Sequence, residues 1–452
     1  MSLLQIFVAG AGSGKTTNMA KRIIELREKI DSNKTIYCVA FTNNAVNCIK
    51  NKLIEHYCFL PDNIIVSTIH SFLYKEFIRP YYYILYNKQF TEISTSKLPN
   101  DVAYKNSKIK RLEEKNILHQ SVIPEKAKWV VFKKSTDNSS IKAKRKVIIK
   151  KFIEYCGAIC VDEAQDIDSL MMSIFNELDR NGVNIILMGD PKQDLKGSQC
   201  FRKLINERPN EVEYLKQCFR CPQCHIIISN RIISKEERQY SNKTTGMINL
   251  YFESDIGCNE LLMNRHYDLK YISFKQDKFY THKEETNLLL DPTLSEELEL
   301  VFSSISTKSS IVIKRMACYY ALRLIETTEK LKDKRKAMKK VFKGLQLETN
   351  QYASIINAIP EKVIKDDTNK IYIDSIDNVK GQEGDNCLFI LTPDLARYLF
   401  DKDAQDNKTK NRTYVALTRS LNVLDIYVTQ KTEDKYSKNE IIEFFYASEH
   451  NG

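Results

Sequence analysis

The stretch LLQIFVAGAGSGKTTNMA, residues 3–20, decides how the rest of the chain is read. Residues 4–8 are a short apolar run of the kind that builds a buried strand. The run breaks at Ala9-Gly10-Ala11-Gly12-Ser13-Gly14 and restarts as a helix at Lys15-Thr16-Thr17. Small residues there let backbone N–H groups turn inward around a polyphosphate, and the following helix presents the positive end of its dipole. In that arrangement Lys15 reaches the β and γ phosphates, and the Thr16 hydroxyl helps hold Mg²⁺. A glycine-rich turn with a lysine beside it is the plainer reading, but it does not account for the strand-loop-helix order.

Working outward, 452 residues suggest about three domains, and a hydrophobic fraction of 42% is enough to build sizeable cores. The formal net charge of +11 favours a polyanionic partner such as nucleic acid, although lysine is abundant throughout and charge alone leaves a merely solvated surface equally open. Twelve cysteines scattered along a chain without a secretory leader read as free thiols in a reducing cytosol. Residues 3–12 could mimic a signal-peptide core, yet no basic residue precedes them and they run straight into the phosphate loop. No apolar stretch approaches the roughly eighteen residues needed to span a bilayer, so a cytoplasmic protein with no membrane partner is expected.

Beyond the loop, apolar residues at Met19, Ile23, Leu26 and Ile30 form a helical stripe. Residues 35–41 read as a second strand, Thr42-Asn43-Asn44 as the N-cap of a helix over 45–57, and residues 64–67 as a third strand. This alternation predicts a parallel sheet with helices on its faces. It stops over 76–151, a tyrosine-rich then lysine-rich insertion. There Lys142, Lys144, Arg145, Lys146, Lys150 and Lys151 make a cationic helix face, either solvated or phosphate-contacting. The sheet resumes at 158–161, ending in Asp162-Glu163, and at 184–188, ending in Gly189-Asp190-Pro191-Lys192-Gln193. Strand C-terminal ends are where open α/β sheets bind ligands. Further strands are expected at 247–252, 310–314, 371–376, 387–391 and 423–428, with a basic helix over 330–343 and a charged loop over 401–411. Residues 254–300 have too little periodicity to order.

Eight segments then occur in order: AGAGSGKTT (9–17), AFTNNAVNCIKNKL (40–53), STIHSF (67–72), VDEAQD (161–166), MGDPKQ (188–193), CFRCP (218–222), DNVKGQEGD (377–385) and RTYVALTRS (412–420). Together they resemble superfamily 1 helicases of the UvrD/Rep type over nearly the full length. The resemblance implies an α/β protein with two RecA-like parallel-sheet domains of the P-loop NTPase class, ATP in the cleft and single-stranded nucleic acid running across both. It divides the chain into a first RecA-like domain at 1–75 and 152–210, a small basic 1B-like insertion at 76–151, and a second RecA-like domain at 211–452. The 2B insertion is short or absent, around 316–370.

By that resemblance Lys15, Asp162, Glu163, Gln193, Arg220 and Arg419 carry the chemistry. Thr16 and Asp162 hold Mg²⁺, Glu163 orients or deprotonates the attacking water, Gln193 senses the γ-phosphate, and Arg220 and Arg419 neutralise transition-state charge. Residues 9–17 cradle the phosphates, Phe219 stacks on adenine and Glu383 lies near the nucleotide. Phe41, Thr42, Asn43, Thr68 and His70 match positions that contact the strand, though Phe41 reads equally as core. The spacing of Cys218, Cys221, Cys224 and His225 suggests a metal site, but no second ligand pair is evident, and a thiol cluster beside a helix is the simpler account.

The sequence also departs from the family. A glutamine-bearing segment that reads adenine lies well upstream of the family's phosphate loop, and this chain begins too close to its loop to hold one, so relaxed base selectivity is expected. After Gln193 the family places base-stacking aromatics, whereas here stand Lys196 and Ser198; the single Trp129 lies in the insertion. The reading is an ATP-driven translocase or helicase on single-stranded DNA, with RNA left open. The alternative is a nucleic-acid-gated ATPase that regulates a partner nuclease with little unwinding of its own. Minimal UvrD-like helicase subunits of recombination or phage-defence systems such as Gabija are of that kind.

Overall fold

A computed structural model describes residues 4–99, 101–274, 276, 278–281, 293–360, 371–401 and 407–446. The first parallel sheet is built from β1 (Leu4–Ala9), β2 (Thr35–Ala40), β3 (Ile64–Thr68), β4 (Cys156–Val161), β5 (Asn184–Gly189) and β6 (Val212–Leu215), in the spatial order β3-β2-β4-β5-β1-β6. Its strands are nearly continuous apolar runs because both faces are covered. On one face α1 (Lys15–Lys29) and α2 (Asn43–Tyr57) pack Met19, Ile23, Val46, Ile49 and Leu53 against Phe7, Ile36, Cys38 and Ile186. The order brings the ends of β4, β5 and β1 side by side, which gathers the acidic pair, the 190–193 turn and the phosphate loop at one edge.

A second parallel sheet consists of β7 (Met247–Phe252), β8 (Leu269–Ile272), β9 (Asp374–Ser375), β10 (Gly384–Leu391) and β11 (Ser420–Val428), ordered β9-β8-β10-β11-β7. Two such sheets are the architecture of paired RecA-like P-loop domains. Ala11 of the phosphate loop and Leu195 belong to the apolar core under this second sheet, beside Tyr414, Val415 and Ile426. The first sheet extends to Leu215, because Ile6 to Ala9 of β1 pair with Val212 to Leu215 of β6.

The described residues of Met1–Asn87, Pro124–Lys283 and Asn369–Gly452 form one compact unit holding both sheets; those of Lys88–Ile123 and Glu284–Thr368 form a second. The second unit is mainly helical. Leu298, Val301, Phe302, Ile313, Ala317, Leu324, Met338 and Ile355 make its core, and buried Glu297 is held by Lys108 at 3.5 Å and Arg111 at 3.0 Å. The strand expected at 310–314 is instead the start of a helix, Ser310–Leu331. Its apolar spacing, buried at Ile313, Ala317, Ala321, Leu324 and Ile325, is helical once the run is followed past five residues.

The stretch read as one insertion, 76–151, is divided between the two units. Its basic segment lies on the helix Ser139–Tyr155, where Arg145 turns inward to pair with Asp137 and to donate to the Trp129 carbonyl at 2.9 Å. Arg145 is therefore a packing residue, while Lys142, Lys144, Lys146 and Lys150 remain exposed. Residues 254–300 include a helix, Cys258–Asn264, and the strand β8. Residues 1–3, 282–292, 361–370 and 402–406, which fall within the opening stretch, the unordered region, the short insertion and the charged loop, lie outside the described residues. Among those described, no helix is long and apolar enough to cross a membrane.

Candidate nucleotide site

The loop after β1 folds as its composition dictates. Gly12 and Gly14 take left-handed φ values of 68° and 72°, which only glycine adopts without strain. At Gly12 a side chain would also run into the Arg220 Cβ at 2.4 Å, and at Gly10 into the Gln239 carboxamide at 2.2 Å. The Asn18 amide ties back to the Ser13 and Gly14 carbonyls at 3.1 and 3.2 Å. The Ser13 hydroxyl is buried in the loop and has no protein partner, an orphan of the kind a phosphate oxygen would satisfy.

Asp162 and Glu163 follow β4. The Glu163 N–H donates to the Asp162 carboxylate at 3.0 Å, and the Gln165 amide donates to the Glu163 carboxylate at 2.5 Å. The Gln165 carbonyl oxygen accepts from the Asp190 N–H at 2.9 Å, so the residue after β5 orients the carboxamide that holds Glu163. Glu163 has φ 55°, unusual for a residue with a side chain. Burial, followed by the neighbouring Glu163, raises Asp162 to about 7, with Lys15 opposing. For Glu163, burial alone would raise the carboxyl, but Lys15, the Gln165 amide and Lys380 outweigh it and hold it below its ordinary value. Lys15 also helps lower Asp190, so one ammonium serves three carboxylates. The buried Asp162 carboxylate is a hard oxygen donor of the kind Mg²⁺ takes, and with the Thr16 hydroxyl at the start of α1 it would hold that ion.

The cations of the second half reach the same edge. The Phe219 N–H donates to the Gly12 carbonyl at 2.8 Å, which lays the 218–221 segment along the loop. Arg220 pairs with Glu383 at 2.6 Å. Arg419 is wholly buried and donates to the Val415 carbonyl at 3.1 Å, the Gln382 carbonyl at 3.2 Å and the Thr418 hydroxyl at 3.4 Å. Burial and then the Arg220 guanidinium push it down. The two cations are close enough to repel, and one of them is bonded only to neutral oxygens, an arrangement that an anion would relieve. Phe219 itself is largely exposed.

Other expected residues lie differently. The Gln193 amide donates to Asp190 at 3.0 Å and faces inward. Asp190 also pairs with Lys192 at 3.0 Å; Lys192 bridges to Glu237 at 3.0 Å, and Arg202 pairs with Glu237 as well. Thr42 and Thr68 spend their hydroxyls as helix caps, accepting from the Ala45 N–H at 3.2 Å and the Ser71 N–H at 3.3 Å. Asn43 is exposed. Phe41 is half-buried under the Lys196 ammonium, 5.0 Å from its ring centre. Burial and then Lys196 lower His70. Phe41, His70 and Lys196 therefore share one neighbourhood.

Cys218 and Cys221 contact one another: the Cys221 thiol donates to Cys218 and helps bring it down to about 6, against burial. Among the described residues no group of three or more His, Cys, Asp or Glu converges as a metal site. Sequence reasoning passed over Asp190, Lys192 and Tyr414, although each lies inside a quoted motif, and over Gln239, which carries no sequence signal.

Residues 2–198 match the AAA domain family. The chain is 29% identical over 255 residues to the Gabija protein GajB of Bacillus cereus (strain VD045), a match covering 52% of this chain and 49% of that protein. It thus spans about half the length of that curated relative. Among solved structures it is similar to the arterivirus nonstructural protein 10 helicase in complex with DNA, at TM-score 0.36 and 11% identity over 94% of this chain and 60% of that one. It is also similar to the PRRSV helicase, at TM-score 0.34 and 8% identity over 94% and 52%.

Proposed function

We propose, from the premise that the chain is UvrD-like and of the superfamily 1 helicase type, that it hydrolyses ATP to move along single-stranded DNA. The observation that supports this reading is that Arg220 lies against Gly12 of the phosphate loop, with Arg419 close beside it, while Lys15 at the end of that loop faces the acidic pair. Neither set alone could both position and neutralise a triphosphate.

In this reading the amides of residues 10–17 and Lys15 bind the β and γ phosphates. Thr16 and Asp162 would hold Mg²⁺, which would neutralise phosphate charge. Glu163, kept ionised by its neighbours, orients the attacking water and takes its proton. Arg419 and Arg220 face the charge that develops on the γ-phosphoryl oxygens. Arg220 exchanges Glu383 for phosphate, and Gln193 exchanges Asp190 for the γ-phosphate, so both have a contact to trade when the nucleotide changes. Phe219, exposed beside the loop, offers a ring to the base. Phe41 and His70 take the strand, with Lys196 supplying a phosphate contact where relatives stack an aromatic.

The deciding measurement is ATP hydrolysis with single-stranded DNA, RNA and no polymer. Stimulation by DNA supports the reading; no hydrolysis under any condition sinks it. The likeness to a Gabija protein favours a second reading, in which the ATPase gates a separate nuclease. A directional forked-duplex assay with and without a candidate nuclease separates the two, since only a motor unwinds alone.

A further inference from the structure

The phosphate loop is gripped from behind by residues distant in sequence. The Ala11 N–H donates to the Tyr414 hydroxyl at 3.0 Å, that hydroxyl donates to the Gln239 carbonyl oxygen at 3.0 Å, and the Gln239 amide donates back to the Ala11 carbonyl at 3.2 Å. Both polar groups of one loop peptide unit pair are thus taken by a closed ring of three hydrogen bonds. All three residues are buried. The ring is itself braced. Asn230 and Gln239 exchange side-chain-to-backbone bonds of 2.7 and 3.0 Å, and the Tyr240 carbonyl accepts from the Cys218 N–H at 2.8 Å. The Lys192 ammonium, held between Asp190 and Glu237, lies 5.1 Å from the centre of the Tyr414 ring.

We propose that Tyr414 and Gln239 are positioning residues for nucleotide binding, which set the peptide at Ala11 so that the amides of Gly12 to Lys15 converge on the phosphates. The inference rests on the reading of the loop as an ATP site and names what fixes its shape. A loop of small residues has little packing of its own to define it, so its amides converge only if an outside contact selects that conformation. Gly10 has the same explanation, because the Gln239 carboxamide occupies the place of a side chain there. Tyr414 sits five residues before Arg419 on the same chain segment. The contact therefore also registers the buried arginine against the loop.

The test uses the full chain, a fluorescent ATP analogue and a labelled oligo-dT strand. Tyr414→Phe keeps the ring and deletes the bonds, and should weaken analogue binding about tenfold. Binding of oligo-dT without nucleotide should stay within about twofold, since Phe41 and His70, read as the strand contacts, lie just beyond the ends of β2 and β3 and away from the ring. Gln239→Met removes the other half of the ring at similar volume and should cost about as much. The double variant should lose little more than either single one, because the three bonds act as one unit. Unchanged analogue affinity in Tyr414→Phe overturns the proposal. So does an equal loss of analogue and oligo-dT binding in both single variants, which marks a packing defect. A wild-type chain that binds no analogue removes the ATP-site reading itself, a result distinct from either.

Discussion

Glu163 combines three features that bear on a general base: a left-handed backbone at φ 55°, an amide from Gln165 that fixes its carboxylate, and cationic neighbours that keep it charged despite burial. Strain of this kind persists where the surroundings over-determine it. Glu163→Gln preserves shape and removes the proton acceptor. It should lower turnover by about 10² to 10⁴ while ATP and DNA affinities hold; turnover within a few fold of wild type would remove Glu163 from that role. Arg419 is bonded only to neutral oxygens. Arg419→Lys retains a buried cation but loses the planar fork, and should depress kcat by at least about 10³ with a much smaller change in the Michaelis constant for ATP. Equal losses in both would indicate a structural defect. These residues were legible because motif spacing and strand-end position are local properties. The Tyr414–Gln239 ring was not legible, since its partners lie 403 and 228 residues from Ala11 along the chain.

At the scale of elements, the helix Ser139–Tyr155 is anchored by one buried ion pair. Arg145 donates to Asp137, to the Trp129 carbonyl and to the Tyr86 hydroxyl, and Asp137 also accepts from the Lys134 N–H at 2.7 Å. Burial alone would raise Asp137, but the Lys134 N–H and Arg145 bring it below its ordinary 3.8. A carboxyl whose folded value is depressed stabilises the protein above its unfolded value and loses that contribution as pH falls through the folded one. Asp137→Ala should therefore cost about 3–5 kcal/mol near neutrality, from the uncompensated Arg145. It should also flatten the acid limb below about pH 4, as followed by urea unfolding across pH. An acid limb unchanged from wild type would contradict this. The same helix shows why element-level reading stopped short. Its lysines and Arg145 look alike in sequence, and only the tertiary position of Asp137 turns one of them inward. The helix Ser310–Leu331 differs for another reason: the β-branched run Ile311-Val312-Ile313 fits a strand, and the four-residue spacing that identifies a helix emerges only over the next three turns. The strand β6 was missed because its half-buried residues show no alternation; pairing with β1 alone defines it.

At the scale of the whole molecule, what distinguishes a gated ATPase from an idle one is a connection between the acidic motif and the segment that follows β9. Lys380 supplies it. Its ammonium meets both Asp166 oxygens at 2.9 Å, and it is one of the cations that lower Glu163. Asp166 lies three residues beyond that glutamate, and Lys380 three residues before Glu383, the partner of Arg220. Under the proposed function, a movement of the second sheet relative to the first would change the charge around Glu163 and the partner of Arg220 together. That would give polymer binding, as proposed, a physical route to the rate of hydrolysis. Lys380→Ala breaks the link while leaving the phosphate loop, the ring at Ala11 and Phe41 untouched. Hydrolysis without DNA should fall only a few fold, since Lys15 still keeps Glu163 ionised. Stimulation by single-stranded DNA should fall about tenfold, the size of a coupling of roughly 1.4 kcal/mol. DNA affinity without nucleotide should be unchanged, because binding and coupling are carried by different residues. Full stimulation in this variant would show that the signal passes elsewhere, whereas loss of DNA affinity would make Lys380 a strand contact rather than a coupling residue.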